Sequence, residues 1–115
     1  QAAAVIVVDG KILLAQRPSK GLLGGMWEFP NGRVDGDPAE DVVDAIYAGY
    51  KLKVRSVALL GEVRHAYTHF KVTEYAFRCE LIQSSEQENL HWVDLDKLND
   101  YPMGKVDRQI TMKMI

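Results

Sequence analysis

The segment Arg64-His65-Ala66-Tyr67-Thr68-His69-Phe70 gathers one cation, two imidazoles, two aromatic rings and two hydroxyls. A hydroxyl can donate and accept a hydrogen bond, and an aromatic face stacks on any flat base. The segment lies between two stretches of strand character and reads as a hairpin tip or loop. Each residue also has a plainer reading. Tyr67 could be a core aromatic under the hairpin, His69 a brace within the loop, and Arg64 a solvated strand end.

Three acids, Glu40, Asp41 and Asp44, fall at the start of the clearest helix. Glu40 and Asp44 are one turn apart and could face the same way. The plainer reading is that Glu40 closes a capping box and that all three acids favour the positive end of the helix dipole. Gly21, Gly24 and Gly25 resemble a phosphate-cradling loop only loosely. They lack the Gly-x-x-x-x-Gly-Lys-Ser/Thr pattern and precede a strand rather than a helix. Lys105, Arg108 and Lys113 form either an exposed helix face or a phosphate clamp. The single cysteine, Cys79, excludes a disulfide scaffold and cannot supply a four-cysteine cluster site.

The elements that must position these residues are legible from periodicity. Ala2 to Val8 is continuously apolar, Asp9-Gly10 is a two-residue turn signal, and Lys11 to Gln16 completes a buried hairpin. A loop from Arg17 to Met26 leads to a short extended stretch, Trp27 to Gly32. Asp37-Pro38-Ala39-Glu40 starts a helix with an acidic cap and Pro at its first position. Val42, Val43, Ile46, Tyr47 and Tyr50 form its apolar face. Val54 to Val63 reads as a strand. Lys71 to Ile82 follows with Thr73, Tyr75, Phe77, Cys79 and Leu81 on one face and Glu74, Arg78 and Glu80 on the other. Ser84 to Asn89 is a polar turn, Leu90 to Val93 a short strand and Leu95 to Asn99 one helical turn. Lys105 to Ile115 is a terminal helix with Val106, Ile110 and Met114 aligned. Trp27, Phe29 and Trp92 read as core. The order predicts an α+β or mixed α/β sandwich, a mixed sheet flanked by helices.

Composition narrows the classes further. The chain has 115 residues, 47% of them hydrophobic, and a formal charge of −2. That fits one domain, 1–115, and excludes a disordered tail. No apolar run is long enough to span a bilayer and no secretory signal is visible, so no membrane partner and a cytoplasmic location are expected. The charge argues against binding nucleic acid by bulk electrostatics alone. The chain opens on Gln1 without Met, so either an excised fragment, expected to be monomeric, or removal of the early residues is expected.

A glycine-rich loop, a strand, Gly32 and an acid-capped helix together resemble the Nudix fold. Members carry Gly, five residues, Glu, seven residues, Arg-Glu, an apolar residue, any residue, Glu-Glu, any residue, Gly and an apolar residue. Their glutamates hold magnesium against a diphosphate. Anchored at Gly32, the first Glu falls on Pro38, Arg-Glu on Ile46 and Tyr47, Glu-Glu on Tyr50 and Lys51, and the late Gly on Lys53. No carboxylate occurs from Ala45 to Val54, so no metal site is expected.

Leu22-Leu23-Gly24-Gly25-Met26-Trp27-Glu28-Phe29-Pro30-Asn31-Gly32 resembles the start of the C-terminal domain of adenine DNA glycosylases, the MutY family. Asn31 stands where a glycine is usual, and Asn tolerates positive φ. His65-Ala66-Tyr67-Thr68-His69-Phe70 is similar to that family's Phe-Ser-His loop, with Tyr for Phe and Thr for Ser. Trp92-Val93-Asp94-Leu95, Tyr101-Pro102-Met103 and Arg108-Gln109-Ile110 resemble its closing segment. The resemblance implies a Nudix-like domain that recognises 8-oxoguanine opposite a mispaired adenine and catalyses nothing itself. It implies duplex DNA carrying 8-oxoguanine:A as partner, and an N-terminal glycosylase domain outside this chain, with an iron–sulfur cluster in many members. This chain itself is expected to hold no cofactor. Thr68 would read the lesion's N7–H and O8, Tyr67 would pack near the base, and His69 and Arg64 would hold the backbone. Two further readings stay open: a free-standing nucleotide pyrophosphatase with a degenerate metal site, and a non-catalytic nucleotide-binding module.

Overall fold

A computed structural model describes residues 1–21 and 24–114. Leu22 and Leu23 of the glycine-rich loop, and Ile115, the expected last position of the terminal helix, lie outside the described residues.

Strand β1 (Ala2–Val8) is central because it is apolar on both faces. Ala2, Ala4 and Ile6 point into one core, while Ala3 and Val5 point into the other. That explains its continuous rather than alternating hydrophobicity. A tight turn with Asp9 at φ 51° and Gly10 at φ 77° folds β2 (Lys11–Gln16) back antiparallel, with Val8 opposite Lys11. Two positive φ values in a two-residue hairpin are what Asp-Gly supplies. On its other side β1 pairs in parallel with β6 (Lys71–Gln83), from Ala2 opposite Tyr75 to Ile6 opposite Cys79. β6 in turn pairs antiparallel with β5 (Lys53–Ala66). The short strands β3 (Trp27–Glu28) and β4 (Asn31–Gly32) join β2 and β1 respectively, and β7 (Leu90–Asp94) joins β2. The result is a mixed sheet of seven strands.

Helix α1 (Pro38–Tyr50) covers one face and α2 (Lys105–Lys113), with the 3₁₀ segment Leu95–Asp100, covers the other. The start of α1 matches expectation at Asp37, whose carboxylate accepts the Ala39 N–H at 3.1 Å. The return bond differs from the expected capping box. Asp41, not Glu40, accepts a backbone N–H, from Gly36 at 2.6 Å. The helix ends at Lys51 in the left-handed region, φ 59°. Val42 and Ile46 are fully buried, Val43 and Tyr50 half-buried, but Tyr47 is about half exposed. The apolar stripe is therefore narrower than its spacing suggested. Gly32 lets β4 lie against α1: a Cβ there would stand 2.8 Å from the Ala45 Cβ.

Three other expectations change. Trp92 is 38% exposed on β7, which pairs with β2 alone, whereas Phe29 is completely buried. Asn31 does not take positive φ; it is extended in β4, with its N–H given to the Tyr50 hydroxyl at 3.3 Å. Glu74, assigned to a polar face with Arg78 and Glu80, is buried because its face of β6 looks toward α2. Among the described residues no helix is long and apolar enough to cross a membrane.

Candidate functional site

β5 runs three residues beyond its expected end, so Arg64, His65 and Ala66 are paired strand positions rather than loop. The true tip is Tyr67 to Phe70, closed by the Tyr67 N–H donating to the Phe70 carbonyl at 2.7 Å. Thr68 and His69 stand exposed at its apex. The half-buried Tyr67 ring stacks on Phe70 at 4.7 Å and meets His65 edge-on at 4.5 Å. It is thus neither a deep core residue nor free. Arg64 points to solvent and pairs at 2.8 Å with Glu62, two residues away on its own strand. The structure therefore groups Tyr67, Thr68 and His69, and sets Arg64 apart on the strand.

The same tip walls a cavity of about 170 Å³ between the sheet and the start of α2. Tyr67, Phe70 and Val72 form one side. Glu28, Glu74 and Asp107 contribute carboxyls from β3, β6 and α2. None of the three stood out in the sequence. Glu74 was hidden in the alternation of β6. The usable signal for Asp107 was its place three residues before Ile110 and seven before Met114, on the buried side of α2.

These carboxyls are held above their ordinary range. Burial pushes Glu74 up to about 7, and the neighbouring Asp107 carboxylate adds to the rise. Burial pushes Asp107 up to about 6, against the hydrogen bond it accepts from the Phe29 N–H at 3.2 Å. Glu28 is also raised by burial, opposed by the Arg17 guanidinium 3.5 Å away. Desolvation penalises each charged form, and the three carboxyls repel one another.

A metal site of the Nudix kind needs several hard oxygen ligands on α1. The residues present do not fit one. Ile46 is fully buried among apolar neighbours, and the Tyr50 hydroxyl accepts the Asn31 N–H. The Lys51 ammonium sits 5.4 Å from the centre of the Tyr47 ring. Two phenols, an ammonium and a proline replace the carboxylates. Glu40, Asp41 and Asp44 lie too early on the helix, and Asp41 is engaged with Gly36. Among the described residues no group of three or more His, Cys, Asp or Glu side chains could hold a metal ion.

Comparison with known proteins agrees with this fold. The chain is 30% identical over 113 residues to the CTP pyrophosphohydrolase of Escherichia coli, covering 91% of this chain and 82% of that protein. It is 40% identical over 73 residues to the human adenine DNA glycosylase, covering 57% of this chain but only 13% of the glycosylase. The crystal structure of a MutT NUDIX hydrolase from Burkholderia pseudomallei superposes with a TM-score of 0.76 at 26% identity, covering 99% of this chain and 95% of the other. Residues 2–113 match the NUDIX domain family, and the chain belongs to it.

Proposed function

We propose that this chain is the lesion-reading domain of an adenine DNA glycosylase, a Nudix domain that inspects 8-oxoguanine and leaves adenine excision to a separate glycosylase domain. The observation that carries the reading is the composition of α1 and its C-cap, where Pro38, Tyr47, Tyr50 and Lys51 occupy the places of the metal-binding glutamates. The identity to the human glycosylase supports it.

In this reading Thr68 does the inspecting. 8-Oxoguanine carries an N–H at N7 and a carbonyl at C8, where guanine offers an acceptor at N7. The exposed Thr68 hydroxyl can satisfy both lesion groups, and a tip carbonyl facing N7 would repel ordinary guanine. Tyr67 packs near the base, His69 holds the backbone at the apex, and Arg64 joins it by leaving Glu62. With a charge of −2 the domain does not grip duplex DNA by itself. The glycosylase domain supplies the phosphate contacts, while this one reads a single base.

The test places this chain behind a glycosylase domain and compares excision from 8-oxoguanine:A and G:A. Thr68→Ala should lower the preference for the lesion by about fivefold, the worth of one hydrogen bond of about 1 kcal/mol. An unchanged preference overturns the assignment of Thr68. A second reading rests on the 30% identity to CTP pyrophosphohydrolase across nearly the whole chain: a nucleotide pyrophosphatase with a rewired site. Magnesium-dependent release of pyrophosphate or phosphate from nucleoside triphosphates by the 115-residue chain would establish that reading instead.

A further inference from the structure

Strand β5 lies at one edge of the sheet: among the described residues it pairs with β6 and with no other strand. Its register shifts between Ser56 and Ala58 and between Leu59 and Gly61. It then runs unbroken from Gly61 opposite Ala76 to Ala66 opposite Lys71. The main-chain directions in this last stretch follow from the bonds β6 makes on its other side. The Tyr75 N–H donates to the Gln1 carbonyl at 2.9 Å, and the Gln1 ammonium donates to the Thr73 carbonyl at 3.1 Å. Tyr75 and Thr73 thus turn their main chain away from β5. Opposite them stand Glu62 and Arg64. Such antiparallel pairs exchange no hydrogen bonds, so Glu62 and Arg64 turn their own N–H and C=O groups to the open edge. An open edge is a template for another strand.

We propose that this edge joins a second copy of the chain, antiparallel about a two-fold axis beside Val63, with Glu62 of each copy opposite Arg64 of the other. The outward groups of Glu62 and Arg64 then exchange reciprocal main-chain hydrogen bonds, repeated by the symmetry. Charge selects this register from its neighbours. One step in one direction sets Glu62 against Glu62, and one step in the other sets Arg64 against Arg64. Like charges directly opposite destabilise a strand pair, whereas opposite charges support it. Among these registers only the proposed one gives each charge a partner of opposite sign.

The surroundings of the edge suit a copy of the same chain. Glu62 and Arg64 lie on one face, 2.8 Å apart, with side chains 39% and 77% exposed, so both charges are within reach of a neighbouring strand. Edges are commonly blunted by like charges or bulges. Here the bulges fall before Gly61, and the charges beyond them are self-complementary. Before Gly61, Leu59 is 57% exposed and Val57 37%. The antiparallel arrangement directs them toward the hairpin tip of the other copy, where covering them adds apolar burial. The paired stretch is short, so the dimer is weak and reversible. It replaces the monomer expected from the sequence. The edge uses neither DNA nor Thr68, so the inference stands or falls separately from the glycosylase reading.

Sedimentation of the 115-residue chain from about 10 µM to about 2 mM should show a reversible dimer with a dissociation constant between those limits. Amide hydrogen exchange at Glu62 and Arg64 should slow as concentration rises, because these N–H groups become bonded only in the dimer. Glu62→Arg and Arg64→Glu each set like charges together and should weaken association by about tenfold or more. Both side chains face solvent, so each variant should keep the native NMR spectrum. The two substitutions in one chain exchange the signs and should return the dissociation constant to within about threefold of the parent. An equimolar mixture of the two single variants should form a mixed dimer. A monomer across the whole range, a dimer whose Glu62 and Arg64 amides stay unprotected, or a double variant no better than the single ones would each overturn the proposal.

Discussion

The Asp107 carboxylate on α2 accepts the backbone N–H of Phe29, 78 residues earlier, at 3.2 Å. This bond ties the last helix to the segment between β3 and β4, at a place where both partners are buried. Phe29 is completely enclosed, so its N–H has no water to turn to if Asp107 is lost.

Asp107→Ala should therefore cost about 1–3 kcal/mol of stability, the penalty for stranding a buried donor. Asp107→Asn keeps an oxygen for the Phe29 N–H and removes a charge that burial disfavours, so it should cost less. Urea denaturation of the two variants measures the difference. Equal destabilisation would mean that the charge, not the acceptor, matters at this position.

Stability should fall as pH rises through neutrality. Folding raises Glu74 from its ordinary 4.5 to about 7 and Asp107 from 3.8 to about 6. The folded chain thus binds more protons than the unfolded chain between those limits. The stabilisation is complete below about pH 4 for this pair and is lost by about pH 7. Other carboxylates act in the opposite sense at the acid end, so the clean readout is a difference. Glu74→Gln should flatten the decline of Tm between pH 5 and pH 8 by an amount equivalent to about 1–3 kcal/mol. Parallel profiles for the two proteins would refute a buried, raised Glu74.

Gly32→Ala should force β4 away from α1, since the new Cβ meets the Ala45 Cβ at 2.8 Å. A cost of about 1–3 kcal/mol is expected for such overpacking. Gly32→Ala combined with Ala45→Gly should recover much of that loss, because Ala45→Gly removes the clashing atom. Thermal unfolding of the single and double variants decides this, and additive losses would disprove the contact.

Thr68→Ala should leave stability within about 0.5 kcal/mol of the parent, because Thr68 is exposed at the apex of the tip. Any change in lesion preference then reports on recognition rather than folding. Tyr67→Ala should be costlier, since it removes the ring packed between His65 and Phe70.

Local signals were sufficient wherever one short-range effect dominates. The Asp-Gly turn, the Asp37 cap and the two-faced burial of β1 follow from residue types within a few positions. The amino-acid sequence also determined that α1 bears no carboxylate at the metal-ligand places, because a helix fixes which residues share its surface whatever packs against it. It placed Tyr67, Thr68 and His69 together at a hairpin tip, since they are contiguous. What it did not determine was the surroundings of isolated charges. Period-two alternation assigns Glu74 to the face opposite Phe77 and Cys79, but it cannot say whether that face meets water or α2. Only the tertiary fold decided that it meets α2. It brought Glu28, Glu74 and Asp107 from three separate elements to one cavity and took water away from them. Desolvation depends on everything packed around a group, which is why these carboxyls became visible as a site only in three dimensions.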